Sequence, residues 1–158
     1  EGGDDQGEQQ LNMYSDYECC GNPDQGHRNG TDLVETNVFQ ERTVAAEDVG
    51  TTLTFSFDAK GGNINDPEAE VCAEPDVCDS TANAFIKTLD PNAGFMVSAS
   101  DTEDTTDLPE TWARYSVELP IDESLAGHVL QFGFQSTASN FTPSAVLYDN
   151  IRVVLEAP

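Results

Sequence analysis

Residues 51–59, TTLTFSFDA, decide the fold of this protein. The odd positions from Leu53 to Ala59 are apolar, and the even positions between them are Thr, Ser and Asp. Successive side chains of a β-strand point to opposite faces, so strict alternation is typical of a strand with one buried face. The segment therefore predicts a strand whose phenylalanines, Phe55 and Phe57, lie in the core.

The same period of two recurs along the chain and indicates about eight strands. Helix signals are confined to AAEDVG at 45–50 and DESLAG at 122–127, each of which predicts a single turn that stops at Gly. Without long helices for parallel crossovers, the strands should be antiparallel and stacked as two sheets. The sequence predicts an all-β sandwich of jelly-roll type. Besides 51–59, the strand segments are 11–17, 33–44, 84–89, 94–99, 112–119, 128–135 and 144–155.

Acidic residues greatly outnumber basic residues in this chain. The 158 residues, enough for one domain, carry 30 Asp plus Glu against 6 Lys plus Arg, a net charge of −24. Such a chain repels nucleic-acid phosphates and anionic lipid, which argues against nucleic-acid and membrane partners. Half of the acidic residues fall in segments predicted as an arm or as loops, residues 1–10, 61–80 and 101–110.

The four cysteines are placed as in a disulfide-bonded extracellular protein. Cys19 and Cys20 are adjacent in one predicted loop, and Cys72 and Cys78 flank an acidic loop. Neither pair has the CxxC spacing that zinc sites favour. Either the two loops are tied together, or each pair closes on itself. With the scarcity of lysine, this predicts a secreted or cell-surface protein, in which the sequons at Asn29 and Asn140 are possible N-glycosylation sites.

Signatures of catalysis are absent from the sequence. It contains no GxSxG, HExxH, GxxxxGK or GxGxxG motif, and its two histidines have no nucleophile beside them. With thirty carboxylates, some pair falls at a glycosidase-like separation by chance, so paired acids carry no information. The sequence predicts a protein that is not an enzyme.

Three segments resemble a known family. They are VFQERTVAAEDVGTTLTFSFDAKGG at 38–62, AFIKTLDPNAGF at 84–95 and TWARYSVELPIDESLAGHVLQFGFQSTASNFTPSAVLYDNIRVV at 111–154. Together they resemble secreted bacterial carbohydrate-binding-module-like jelly rolls, the type appended to polysaccharide-degrading enzymes and marine surface proteins. The resemblance implies a jelly-roll fold. It also implies that Asp149, in the Tyr-Asp-Asn-Ile step, ligates a structural Ca²⁺.

The start of the chain departs from this family. Such modules usually begin with an extra strand, carrying an Asn-Gly-x-Phe-Glu-type segment, that contributes to the calcium site. This chain enters one strand late, at LNMYSDY, residues 11–17. A sandwich that lacks a strand has an unpaired edge and an uncovered apolar groove, which invites strand addition from another chain.

Two function hypotheses follow. In the first, the protein is a structural subunit of an extracellular filament that binds copies of itself. Residues 1–17 form an arm that fills the groove of a neighbour through Leu11, Met13 and Tyr17, and residues 18–158 form the jelly roll.

In the alternative, the chain is a calcium-stabilised carbohydrate-binding module from a larger enzyme or adhesin, and the arm pairs in its own sheet. Polysaccharide is then the partner. Tyr14 and Phe141, in or near loops, are the candidate glycan contacts, whereas Trp112 at a strand start is expected in the core.

Overall fold

A computed structural model describes residues 5–15, 33–66, 68, 79–138 and 142–157. Several predicted residues lie outside these ranges, so the disulfide pairing, the use of the sequons and the roles of two aromatic residues stay predictions. These residues are Tyr17, Cys19, Cys20, Asn29, Cys72, Cys78, Asn140 and Phe141.

The described residues form eight strands and three single 3-10 turns. The turns are Ala46–Asp48, Pro91–Ala93 and Glu123–Leu125. The first and third lie in the two segments for which a turn was predicted, and none of the helical segments is long and apolar enough to cross a membrane. The strands are β1 Leu11–Met13, β2 Val34–Thr43, β3 Thr52–Gly61, β4 Thr81–Asp90, β5 Met96–Asp104, β6 Ala113–Pro120, β7 Val129–Ala138 and β8 Val146–Glu156.

The strands pair antiparallel in two four-stranded sheets. Sheet I has the order β1-β8-β3-β6 and sheet II the order β2-β7-β4-β5. Neighbouring strands in each sheet are mostly distant in sequence, as in a jelly roll. The predicted fold class, a two-sheet antiparallel sandwich of about eight strands, is therefore confirmed.

The core is built around β3, the strand with the clearest alternation of apolar and polar residues. Phe55 and Phe57 are at most 1% exposed, and the Phe57 ring contacts the rings of Phe134 and Tyr148 from β7 and β8. The Tyr148 hydroxyl shares a hydrogen bond of 2.6 Å with Thr105, and burial raises the pKa of this phenol well above its usual range. Aromatic rings from both sheets thus fill the space between them.

The acidic run at 101–107 was predicted to be a loop, and this is wrong for its first half. Residues up to Asp104 extend β5, with Asp104 opposite Asn83 and Asp101 opposite Ile86. The physical reason is that β5 lies at the edge of sheet II, where acidic side chains reach water on either face. Part of the negative charge therefore lies on a strand.

The described part of the N-terminal arm is held by its own chain. In β1, Leu11 is opposite Tyr148 and Met13 is opposite Val146, and Met13 is 2% exposed. Ahead of β1, the Gln6 amide donates to Asp58 Oδ2 at 2.9 Å. The described part of the arm thus pairs with β8 and bonds to β3, while its donation to a neighbour stays a prediction.

Candidate functional site

The outer face of sheet II carries an unusual set of side chains. Residues pointing into the sandwich from β4 and β7, such as Ala84, Ile86 and Phe134, are buried in the core. The alternate residues point outward, and many are amides or aromatic rings rather than the charged side chains of a purely solvated surface. We call this surface the amide face; its central residues are Asn37, Phe39, Asn83, Phe85, Lys87, Gln131, Gly133 and Gln135.

One row of the amide face is made of three amides on adjacent strands. Asn37 in β2 is opposite Gln135 in β7, which is opposite Asn83 in β4. The Asn83 amide nitrogen donates to Gln135 Oε1 at 2.9 Å, which aligns the two side chains. Within the described part of the chain, the Gln135 amide nitrogen and the Asn83 oxygen keep free hydrogen-bonding capacity.

The next row places two phenylalanines on either side of a glycine. Phe39 is opposite Gly133, which is opposite Phe85. A Cβ on Gly133 would lie 2.1 Å from the Val38 carbonyl oxygen and 2.7 Å from the Phe39 Cβ, so this position requires glycine. Phe39 is 46% exposed, whereas Phe85 is only 5% exposed although it points outward. The row thus has one exposed ring, Phe39, and one buried ring, Phe85, with the Lys87 ammonium over it.

A third row carries the charged groups. The Gln131 amide donates to Glu41 Oε2 at 2.6 Å. In β4, the Lys87 ammonium lies 4.7 Å from the centroid of the Phe85 ring. Lys87, Phe85 and residues of the amide row line a shallow depression of about 220 Å³, with Ser100 and Thr102 from β5 as its far wall.

This arrangement is suited to a ligand with many hydroxyl groups. Amides and hydroxyls supply donors and acceptors on a fixed strand spacing, and aromatic rings pack against the apolar faces of a sugar. The carboxylates nearby accept hydrogen bonds: Glu41 from Gln131, and Glu35 from the Asn37 amide at 2.6 Å. Asp104, opposite Asn83 at the end of the amide row, accepts the Thr106 backbone N–H at 2.9 Å. The described face therefore offers binding groups without a free pair of carboxylates.

Of the two residues predicted as glycan contacts, Tyr14 is not on this face, and Phe141 lies outside the described residues. Tyr14, 44% exposed, follows β1 at the edge of sheet I. Trp112 precedes β6 and is partly buried, with the Lys60 ammonium 5.1 Å from its ring and its own Nε1 buried without a partner. The amide face was not predicted from the sequence, although Gln131 and Gln135 share one face of the predicted strand 128–135.

The candidate calcium ligand Asp149 lies opposite Asp58 across the β3–β8 pair. Its Oδ1 accepts the backbone N–H of Asn150 at 2.6 Å, and its Oδ2 is buried without a hydrogen-bond partner. An orphaned, buried carboxylate oxygen is a group that a cation could satisfy.

The neighbourhood of Asp149 nevertheless fits a Ca²⁺ ion poorly. Asp58 accepts hydrogen bonds from Arg114 at 3.0 Å, Asn150 at 2.7 Å and Gln6 at 2.9 Å, so the Arg114 guanidinium already supplies a positive charge there. Calcium takes six to eight oxygen ligands, and the described residues contain no group of three or more His, Cys, Asp or Glu side chains that could hold a metal ion. Calcium at Asp149 stays a prediction that these residues do not favour.

An apolar groove runs along the open side of the sandwich. It lies between β2, the edge of sheet II, and the part of β8 beyond its short pairing with β1. Its volume is about 110 Å³, and Val38 and Ile151 at its mouth are 45% and 48% exposed. Leu11 and Phe55 also line it.

Comparison with known proteins gives similarity in structure only. No family model and no curated protein matches the chain. Among solved structures, the enzymatically active domain of bacteriophage CBA120 tailspike protein 4 is matched with a TM-score of 0.48 and 15% identity, over 77% of this chain and 14% of that one.

Two of the other similar structures are carbohydrate-binding modules. A CBM4 structure is matched with a TM-score of 0.44 and 17% identity, over 76% of this chain and 61% of that one. The CBM22-1 xylan-binding domain of Paenibacillus barcinonensis Xyn10C is matched with a TM-score of 0.38 and 12% identity, over 81% and 84%.

The structural neighbours thus include carbohydrate-binding modules and an enzyme domain, and the chain spans less than two thirds of the tailspike and CBM4 chains. At identities of 12–17%, nothing about the ligand of this chain follows from these matches.

Proposed function

We propose that this protein is a non-catalytic carbohydrate-binding module whose amide face binds a glycan chain, and that it works outside the cell. The observation that carries the proposal is the depression lined by Phe85 and by the aligned amides of Asn37, Asn83 and Gln135. Phe39 lies in the adjoining row of the same face, where it also lines the apolar groove. The alternative hypothesis from the sequence is therefore the one that we favour.

Binding by this face has a direct physical basis. Asn83 and Gln135 hold each other in one orientation, so little side-chain entropy is lost when their remaining donors and acceptors meet a ligand. Phe39, 46% exposed, offers its ring to the apolar face of a sugar unit. The strands hold all three residues in place, which favours a rigid and pre-formed site.

The test is a glycan-binding measurement on the intact protein and on matched variants. Neutral and acidic polysaccharides are presented on an array, and hits are measured by calorimetry. Gln135→Ala and Phe39→Ala should each weaken binding about tenfold or more, since each removes a direct contact. Glu118→Ala, on the exposed face of β6 in the other sheet, serves as the control and should bind like the unmodified protein.

A negative result is equally clear. If no glycan is retained at millimolar concentration, with or without Ca²⁺, the proposed function is wrong. Binding that resists Gln135→Ala and Phe39→Ala but fails on changing Tyr14 would move the site to the edge of sheet I.

A second candidate function is assembly into a filament by strand exchange. The specific observation that favours it is the apolar groove between the unpaired edges of β2 and β8, with Val38 and Ile151 exposed at its mouth. The contacts of Leu11 and Met13 with β8 would be the same if β1 came from a neighbouring chain, and such exchange between copies need not close.

Sedimentation and electron microscopy test this candidate. The intact chain should form polymers, whereas a chain without residues 1–17 should stay monomeric. Val38→Lys places a charge in the groove and should also block assembly, while Glu118→Lys on sheet I serves as its control. An intact chain that sediments as a monomer at high concentration rules the filament out.

A further inference from the structure

Lys87 occupies an unusual position in so acidic a protein. It is one of only 6 basic residues against 30 acidic ones. Arg42 and Arg114 are committed to ion pairs, at 2.7 Å with Asp48 and 3.0 Å with Asp58. Among the described residues, Lys87 has no carboxylate partner of this kind, and its ammonium instead lies above the Phe85 ring.

The positions that surround Lys87 on the amide face are all uncharged. Along β4 its outward neighbours are Phe85 and Leu89, and across the sheet they are Gln131 in β7 and Ser100 in β5. The diagonal neighbours are also neutral: Val129, Gly133, Val97 and Thr102. The acid in its row, Glu41, is two strands away, about 9–10 Å.

A cation in this setting keeps its capacity to bind an anion. The Phe85 ring holds the ammonium by a cation–π contact, which does not neutralise its charge. Asp101, next to Ser100 in β5, points to the opposite face of the sheet. Charges separated by more than about 8 Å, such as Glu41, are largely screened at 0.15 M salt. The groups that line the depression with Lys87 include Ser100, Thr102 and the amide of Gln135, which are hydrogen-bond donors that suit an anion as well.

We infer that the amide face selects a glycan with an anionic substituent, a uronic-acid carboxylate or a sulfate ester, and that Lys87 is the residue that recognises it. This inference rests on the proposed function and specifies the class of its ligand. A single cation within a protein of net charge −24 fits a sparsely charged chain better than a dense polyanion.

The experiment compares acidic polysaccharides with neutral forms of the same chains. Uronate polysaccharides are paired with their carboxyl-reduced forms, and sulfated ones with their desulfated forms, which also distinguishes the two substituents. The unmodified protein should bind one acidic form about tenfold or more tighter than its neutral partner, the range of a charge-assisted hydrogen bond. This preference should fall as NaCl is added.

Three variants identify the residue responsible. Lys87→Gln should abolish the preference for the acidic form over the neutral form, because the charge-assisted contact is lost. Lys87→Arg should retain most of the preference. Arg152→Gln removes the same charge from exposed β8 in the other sheet and should change nothing.

The outcomes separate the two proposals. If glycans bind with no preference for acidic forms, or if Lys87→Gln keeps the preference, the inference about Lys87 is wrong and the proposed function stands. If neither form of any polysaccharide binds, the proposed function itself fails.

Discussion

The outer faces of the two sheets use polar side chains in opposite ways. On sheet I, Asp58, Arg114 and Asn150 bond to one another, and Gln6 from the arm adds a further hydrogen bond. On sheet II, Gln135 and Lys87 keep unused hydrogen-bonding capacity around a depression. Polar groups that satisfy one another stabilise the fold, whereas groups left with spare capacity are available to a ligand.

The largest expected effect compares two phenylalanines, one in the core and one on the open face. Phe57 is fully buried and contacts the rings of Phe55, Phe134 and Tyr148, so Phe57→Ala should lower the free energy of unfolding by about 3–5 kcal/mol. Phe39 is 46% exposed, and Phe39→Ala should cost less than about 1 kcal/mol. Urea denaturation measures both; equal losses would mean that the Phe39 ring is structural.

The network on sheet I should respond next most strongly. Asp58→Asn removes the charge facing Arg114 and turns an acceptor oxygen into a donor nitrogen beside Asn150 or Gln6. We expect a loss of about 1–3 kcal/mol and faster proteolytic cleavage of the arm. Glu118→Gln is the control for an exposed carboxylate, and unchanged cleavage in Asp58→Asn would mean that Gln6 does not hold the arm.

Acid should weaken the same network. Burial by itself raises the pKa of Asp58, but hydrogen bonds from Asn150, Arg114 and Gln6 outweigh it, so the net pKa lies below its ordinary value. A folded-state pKa below the unfolded one gives stability that is complete well above pH ~4 and is lost as the pH falls through that value and below it.

The free energy of unfolding is measured between pH 6 and pH 3, a range chosen because it spans the reference pKa of about 3.9 for Asp. Asp58→Asn should show a shallower fall than the unmodified protein. Asp48 contributes in the same direction, because hydrogen bonds from Arg42 and from the Ala45 backbone outweigh its desolvation and lower its pKa. Parallel curves for the protein and Asp58→Asn would contradict the assignment to Asp58.

The smallest expected effect is at the hairpin between β4 and β5, next to the amide face. Phe95 has φ of 63°, a left-handed conformation that is unfavourable for a bulky residue, and it is 59% exposed. Phe95→Asn should raise the free energy of unfolding by about 0.5–1 kcal/mol, since Asn tolerates this conformation. Thermal denaturation checks it, with Asn92→Ala in the preceding turn for comparison; a loss of stability would show that the Phe95 ring packs usefully.

The fold could be predicted from local patterns because each strand carries its own alternation. Leu53, Phe55 and Phe57 mark the inner face of β3 without reference to any other strand. The amide face could not be predicted in this way, because Asn37, Asn83 and Gln135 become neighbours only through the pairing of β2, β7 and β4. The register between these strands depends on the folded sandwich, and the sequence of one strand does not specify which strands pair with it.

The edge strand β5 could not be fully predicted from the local sequence either. The acidic composition of residues 101–104 favours a loop, yet the pairing of β5 with β4 extends through Asp104. The composition of a segment indicates whether its side chains can be exposed to solvent. The side chains of an edge strand can be exposed in the same way as those of a loop.

The position of Lys87 also has a consequence for chemical labelling. The chain contains two lysine side chains, Lys60 and Lys87, and Lys60 lies against the Trp112 ring. Amine-reactive dyes, crosslinkers and sensor surfaces would therefore attach to a side chain either there or in the middle of the candidate site. A protein coupled in this way would lose the cation that we propose for ligand recognition, so its attachment should be directed to another residue type.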